Sequence, residues 1–300
     1  MEKKRKKKRY LLPMVLALGL LLTLASPAPA EFYALLVGVA DYPGFINDLN
    51  YTDDDAIDLG LSLLEYANWD RSNGAILLNG MATKANIAQQ FRTLGERMTS
   101  EDVFLFFFSG HGTNGQDIAP LDEADGLDEY LCTYDDNLRD DQLGNWLNLL
   151  PASQMVVIID TCYSGGMIKA RGDGRIKSFS GTYRQSAKGD GFGTDLLQGR
   201  NRKWTRDLDD NQGMVVLTAA DDDEYSYEFD QIEHGLFTYF VIEAITEFED
   251  LNRNNELSAE EIFQYVLQKP WFDNYGQHPQ LHDGYPANQP ASQELPVCIP

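Results

Sequence analysis

Cysteine and histidine are scarce in this chain, with three cysteines and four histidines in 300 residues. Cys132, Cys162 and Cys298 lie far apart, and no C-x-x-C pair or Cys/His cluster has zinc spacing, which argues against a structural zinc site. An odd number of cysteines excludes a complete disulfide framework and leaves at least one thiol free, while a Cys132–Cys298 bridge stays open. Positive charge is the second shortage: 24 Lys and Arg face 47 Asp and Glu, for a formal charge of −23. A body this acidic argues against nucleic-acid binding and suits solubility, calcium or cationic substrates. No internal repeat is visible.

Much of the little positive charge sits at the very start. Seven Lys or Arg fall within Met1–Tyr10, Leu11–Ala25 is mostly apolar, and Ala28-Pro29-Ala30 offers small residues for cleavage. This is the three-part secretory pattern, so residues 1–30 are expected to be a signal peptide and the protein to be exported, periplasmic or extracellular. An uncleaved anchor is the competing reading; the apolar run contains Pro13 and falls short of the ~20 residues a spanning helix needs. Without residues 1–30 the formal charge moves from −23 to −29, because seven positive charges and one negative leave. About 270 residues remain, enough for one large α/β domain or one domain with a small lobe.

Two apolar runs dominate what is left. Val103-Phe104-Leu105-Phe106-Phe107-Phe108 leads into Ser109-Gly110-His111-Gly112, and Met155-Val156-Val157-Ile158-Ile159 leads into Asp160-Thr161-Cys162-Tyr163-Ser164-Gly165. Continuous runs rich in β-branched and aromatic residues fit strands buried on both faces of a parallel sheet, whose ligands bind beyond the strands' carboxyl ends. Further strands are predicted at Phe32–Val39, Ala75–Leu78 and Met214–Leu217. Helices are predicted from Thr52 (with Thr52 and Asp55 at capping-box spacing), over Thr83–Met98, from Leu143, over Gly235–Phe248 and over Ser258–Gln268. Alternating strands and helices imply a mostly parallel sheet with helices on both faces. Asp122–Asp141 reads as an acidic loop, and the stretch after Pro270 as an irregular tail.

Residues 169–206 stand apart. They lack an apolar period, read as a long flexible loop, and hold ten of the seventeen Lys and Arg found after residue 30. The expected division is therefore 31–168, a flexible basic loop over 169–212, and 213–300.

Adjacent strand ends would place the His111 imidazole beside the Cys162 thiol. A thiol of ordinary pKa near ~8.5 is mostly protonated at neutral pH, and a neighbouring imidazole helps form the thiolate. The amides of Gly112 and Cys162 are candidate donors to a developing oxyanion. Taken alone, His111 reads as a core or capping histidine; the paired pattern favours a nucleophile with its base.

Phe-Phe-Ser-Gly-His-Gly at 107–112 and Asp-Thr-Cys-Tyr-Ser-Gly at 160–165 resemble the caspase-like cysteine peptidases, closest to the metacaspases and their bacterial relatives. Val37–Tyr42, Asp125–Glu129 and His234–Thr238 extend the resemblance over roughly 32–285. It implies a caspase-like three-layer sandwich with a large-subunit-like part before the basic loop and a small-subunit-like part after it. It implies Cys162 as nucleophile, His111 as general acid/base, and an acidic pocket at Asp55, Ser109 and Asp160 selecting Arg or Lys. Carboxylates suit a guanidinium or ammonium far better than a substrate Asp. Asp55 and Asp160 also have plain structural readings, as supports of a helix start and a strand end. The caspase sequence Gln-Ala-Cys-x-Gly is absent, so cleavage after Asp is not implied. The basic loop lies where caspase-like enzymes are cut on activation, so self-cleavage is expected there; a solvated loop held by charge is the alternative.

Calcium is suggested twice. The resemblance implies an acid cluster, roughly matched by Asp128, Asp140 and Asp141, with the fourth expected acid falling near Lys169. Separately, Asp250, Asn252, Asn254, Glu256 and Glu261 have EF-hand loop spacing, with Asn255 where Gly is usual. There Ser258 and Glu261 read equally as a helix capping box. His278 and His282, with Pro279 between them, make a poor metal pair. The expected activity is a cysteine endopeptidase acting on polypeptides after Arg or Lys, influenced by calcium, using no organic cofactor and binding no membrane after signal cleavage. A silent caspase-like binding or scaffold module, and a peptidase of the same fold with Asp or Asn specificity, remain the alternatives.

Overall fold

The computed structural model describes residues 30–119 other than 45 and 47, then 126–162, 174–177, 192–194, 196, 213–221, 224–284 and 295–298. The proposed signal peptide and most of the basic loop lie outside the described residues. No helix among those described is long and apolar enough to cross a membrane.

Five parallel strands and one antiparallel strand form the central sheet. In chain order they are β1 (Phe32–Gly38), β2 (Gly74–Leu78), β3 (Val103–Ser109), β7 (Gln154–Asp160), β9 (Gly213–Thr218) and β13 (Gln280–Asp283). Spatially they run β13-β9-β7-β3-β1-β2, and β13 is the antiparallel edge strand. The two apolar runs are neighbours, paired from Val103↔Gln154 to Ser109↔Asp160. Period-2 alternation sends their side chains to two different cores. Phe104, Phe106 and Phe108 join one with Phe91 and Leu143, whereas Leu105 and Phe107 join the other with Leu59 and Phe237.

Helices cover both faces. On the first face are α2 (Lys84–Gly95), N-capped by the Thr83 side chain, and α3 (Asp140–Leu147). Phe91 of α2 lies 5.6 and 5.5 Å, ring to ring, from Phe104 and Phe106. On the second face are α1 (Thr52–Tyr66), α4 (Leu236–Glu247) and α5 (Ala259–Leu267), which bury Leu59, Val241 and Ile262 in the second core. Truncating any fully buried phenylalanine of β3 to Ala would cost about 3–5 kcal/mol.

Four expectations change. The Thr52–Asp55 capping box does not form, because α1 has no side-chain cap and the Asp55 carboxylate turns into the interior. The acidic loop contains strands: β5 (Leu127–Cys132) and β6 (Asn137–Arg139) lie within it and join β4 (Gly112–Gln116) in an antiparallel sheet. The short α6 (Trp271–Tyr275) and β13 give the expected irregular tail its order, and β14 (Pro296–Cys298) pairs with β12 (Leu257–Ser258). The basic loop is pinned at its described points: Lys177 is fully buried, and Phe192 and Leu196 enter the first core. Isolated apolar side chains within a polar stretch carry no periodic signal, so their burial was not readable from spacing.

Candidate active site

Register places the reactive pair. β3 and β7 end level at Ser109 and Asp160, so His111 and Cys162 each follow two residues beyond adjacent strand ends. Both are about 1% exposed. Gly112, where β4 begins, packs against the Cys162 backbone: a Cβ there would stand 2.7 Å from the Cys162 carbonyl oxygen, so only glycine fits. Tyr42 holds the imidazole loop. Its hydroxyl accepts from the His111 amide at 2.9 Å and donates to the Cys132 carbonyl at 3.0 Å, and its ring lies 4.8 Å from that of His111. Cys132 itself is a buried free thiol, so the bridge to Cys298 is not formed.

The Cys162 thiol is held by Ser226, which precedes β10 (Tyr227–Phe229). Sγ accepts from the Ser226 amide at 2.7 Å and donates to the Ser226 carbonyl at 3.2 Å. Burial pushes this thiol up to about 12, against smaller lowering effects from the Ser226 amide and Lys177. It is a neutral thiol in this structure.

Beside it the expected acidic pocket is assembled, and it is filled. Lys177 Nζ lies 3.1 Å from Asp55 Oδ2, 3.0 Å from Asp160 Oδ2 and 3.0 Å from Ser109 Oγ. An ammonium has three N–H donors, and three acceptors meet them. All four side chains are fully buried. Burial alone would lower the Lys177 pKa, but Asp160, Asp55 and Glu228 carry it above the ordinary lysine value. Burial would raise Asp55, yet Lys177 and His234 hold it below the ordinary carboxylate value. The lysine is therefore a buried cation paired with carboxyl groups, and leaving either side unmatched would cost several kcal/mol.

Lys177 directly follows β8 (Gly174–Ile176), which pairs antiparallel with β10 through Ile176↔Tyr227, Arg175↔Glu228 and Gly174↔Phe229. The Lys177 amide donates to the Ser226 carbonyl at 3.1 Å. An added strand gripped by main-chain bonds, with one side chain in a deep pocket, is how extended peptides are commonly recognised.

The pocket acids are held by residues after the basic loop, among them His234–Thr238, which carried the resemblance in sequence without an assigned role. His234 Nδ1 lies 3.0 Å from Asp55 Oδ1, and the Gly235 amide donates to the same oxygen at 2.9 Å. Burial opposes protonation of His234, but Asp55 raises its pKa above the ordinary value. Ser226 Oγ donates to Asp160 Oδ1 at 2.6 Å, and Thr238 gives both its amide and hydroxyl to Asp160 Oδ2. At Gly235 a Cβ would stand 2.2 Å from Lys177 Nζ and 2.4 Å from Asp160 Oδ2, so glycine leaves the pocket floor open.

The metal candidates separate into two places. One ligand oxygen each from Asp128 on β5 and Asp140 and Asp141 on α3 lie within 4.8 Å of one another. The Asp128 Oδ1 atom is buried with no hydrogen-bond partner, while Oδ2 accepts from the Ile118 amide and the Tyr130 hydroxyl. Asp250–Glu261 instead satisfies itself. Asp250 Oδ1 accepts from the amides of Arg253 and Asn254, Asp250 Oδ2 from Asn255, Asn252 Oδ1 from Asn254, and Asn254 Oδ1 from Glu256. Asn255 has φ 67°, the left-handed turn expected there. Glu261 accepts from Asn252 and Ser258, and the Ser258–Glu261 capping box is formed. His278 pairs with Glu224 and His282 contacts Thr194, so the two serve different neighbours.

A thiol and an imidazole at neighbouring strand ends, beside a carboxylate pocket on a mostly parallel sheet, define a caspase-like cysteine-peptidase site. The family profile for the caspase domain matches residues 31–284, and the chain belongs to that family. Metacaspase-3 of Arabidopsis thaliana is 29% identical over 240 residues, covering 74% of this chain and 62% of the relative. Metacaspase-1 of Yarrowia lipolytica is 27% identical over 301 residues, with 85% and 62% covered. Metacaspase-4 of Arabidopsis thaliana is 30% identical over 142 residues, with 45% and 34% covered. The matched regions thus span 34–62% of the length of these relatives. Among solved structures, a protein from Geobacter sulfurreducens aligns with a TM-score of 0.60 at 20% identity, covering 90% of this chain and 99% of its own. Caspase-1 of Spodoptera frugiperda aligns at 0.52 and 13% identity, covering 86% and 91%. At those identities the likeness is one of fold.

Proposed function

We propose that this protein is a cysteine endopeptidase that cleaves after Lys or Arg and first cuts its own bond between Lys177 and Ser178. The observation that carries this reading is the burial of Lys177 among Asp55, Asp160 and Ser109, directly after a strand paired to β10. The chain's own segment lies as an extended substrate would, with its cation in the selective pocket. In the proposed reaction the Cys162 thiol gives its proton to His111 and sulfur bonds to the Lys177 carbonyl carbon. The amides of Gly112 and Cys162 receive the negative oxygen. His111 then returns the proton to the Ser178 nitrogen as the C–N bond breaks, and water hydrolyses the thioester.

Calcium is proposed at Asp128, Asp140 and Asp141, where buried oxygens of hard character converge. It would supply positive charge that settles the β4–β5–β6 sheet, whose first strand follows directly from His111. The 250–261 loop has its side-chain oxygens engaged by its own amides, which is what a turn and helix cap require, so no ion is assigned there. Export remains a proposal from residues 1–30; N-terminal sequencing of protein recovered outside the cytoplasm, beginning near Glu31, would support it, and retention of Met1 would overturn it.

Fluorogenic peptides ending in Lys, Arg, Asp or Asn, assayed with and without calcium, test the activity. Turnover of Lys and Arg peptides is expected. Turnover of the Asp or Asn peptide alone overturns the pocket assignment, and no turnover even after nicking at Lys177 favours a silent binding module.

A further inference from the structure

The cluster of Asp128, Asp140 and Asp141 already holds a cation of the chain's own. Arg139, the last residue of β6, reaches across it. Its Nη1 lies 3.3 Å from Asp128 Oδ2 and donates to the Ile118 carbonyl at 2.9 Å. Its Nη2 lies 3.4 Å from Asp141 Oδ2 and donates to the Ala119 carbonyl at 3.3 Å. The side chain is 18% exposed, and Asp128 is fully buried. Its planar fork of donors meets the two carboxylates with separate nitrogens.

The match is incomplete in geometry. Asp128 Oδ1 remains buried without a hydrogen bond even though Oδ2 of the same group takes the Ile118 amide, the Tyr130 hydroxyl and Arg139. Oxygens spaced within 4.8 Å are well placed for a hard divalent ion with ligands at about 2.3–2.6 Å. The guanidinium occupies two of the three carboxylates such an ion would use, and like charges at that separation repel.

We propose that Arg139 is a built-in counter-cation that calcium must displace, so that ion entry turns the guanidinium out of the cluster. This inference rests on the calcium reading of the cluster given above. Displacement has a second effect: the carbonyls of Ile118 and Ala119 lose their Arg139 donors and become free to serve as oxygen ligands. Arg139 thereby sets the calcium concentration at which the exchange occurs, holding Asp128 and Asp141 when the ion is scarce.

Calcium titration by calorimetry on two proteins tests this, Cys162→Ala alone and Cys162→Ala with Arg139→Met. The expected result is binding at least about tenfold tighter without the guanidinium. Equal or weaker affinity in the Arg139→Met protein overturns the exchange alone, whereas absence of heat in both proteins overturns the calcium reading with it. Should Arg139→Met fail to fold, the Cys162→Ala protein with native Arg139 supplies the decision. Its Arg139 is labelled with phenylglyoxal and the modified peptide followed by mass spectrometry. Calcium is expected to raise the labelling rate several-fold, and an unchanged or slower rate overturns the proposal.

Discussion

The pocket at Asp55 and Asp160 and the cluster at Asp128, Asp140 and Asp141 are both buried groups of carboxylates met by a cation from the same chain, yet the two meetings differ. Lys177 is fully buried, with all three of its donors matched by acceptors from α1, β3 and β7. Arg139 is partly exposed, lies at 3.3 and 3.4 Å from its acids, and leaves one buried oxygen unused. The first cation comes directly after a short strand in a distant loop, and the second from the residue immediately before Asp140 and Asp141. Under the proposed activity the tight site is filled by a segment that cleavage would release, and the loose one by a side chain that would swing aside. Saturation suits recognition of a substrate cation; incompleteness suits replacement by an ion.

The largest expected effect is common ground for both regions. Cys162→Ala or His111→Ala should lower peptide turnover by about 10⁴-fold or more, since residues acting as one unit fail together, while leaving both cation sites folded by circular dichroism. Asp160→Asn should then separate the regions. It should cut kcat/KM on a Lys peptide by about 10²–10³-fold, the scale of removing one partner of a buried charge pair, without changing calcium affinity in calorimetry. Equal damage to calcium binding would join the two sites into one.

Gly235→Ala should act on the pocket alone. A methyl group in the space of Lys177 Nζ should expel the segment and lower kcat/KM for Lys and Arg peptides about 10²-fold. It should also speed iodoacetamide labelling of Cys162, a combination that a merely destabilised protein would not produce. In the intact chain, a thiol pushed up to about 12 by burial should resist alkylation at neutral pH. Nicking at Lys177 should restore labelling toward that of a free thiol, whose pKa is about 8.5. Slow labelling both before and after nicking would sever thiol latency from the filled pocket.

The smallest effect concerns His234. Its folded pKa is raised by Asp55, so its contribution to stability is fully present below the ordinary histidine value near ~6.5 and disappears as pH rises through the folded value. The Tm difference between the native chain and His234→Gln should therefore be largest at acidic pH and shrink toward alkaline pH. A difference that grows with pH would remove His234 from the support of Asp55.

The reactive pair was legible because each member ends a continuous apolar strand, and strand ends in a parallel sheet converge. Asp55, Ser109 and Asp160 came from a resemblance of motifs, and the structure brings them to one pocket. Tyr42, Ser226, Gly235 and Thr238 were not assigned roles at the site, since they act by single hydrogen bonds or by the lack of a side chain, neither of which leaves a period. The seating of Lys177 was hidden for another reason. A lysine in a polar stretch looks solvated until the acids that enclose it are assembled from α1, β3 and β7. Asp55 misled in a different way: its place in a capping-box spacing suggested a local task, and a distant cation and histidine claimed its carboxylate instead.

The division of labour around the pocket has a consequence for any nicked form. Asp55, Ser109, Asp160, His111 and Cys162 precede the basic loop, whereas Ser226, His234, Gly235 and Thr238 follow it. Under the proposed activity, discrimination among substrates is jointly owned by two pieces of chain, which the β7–β9 pairing, the pocket hydrogen bonds and the second core hold together. Were the later piece to separate, the earlier one would keep its nucleophile and lose its judgement about what to cut.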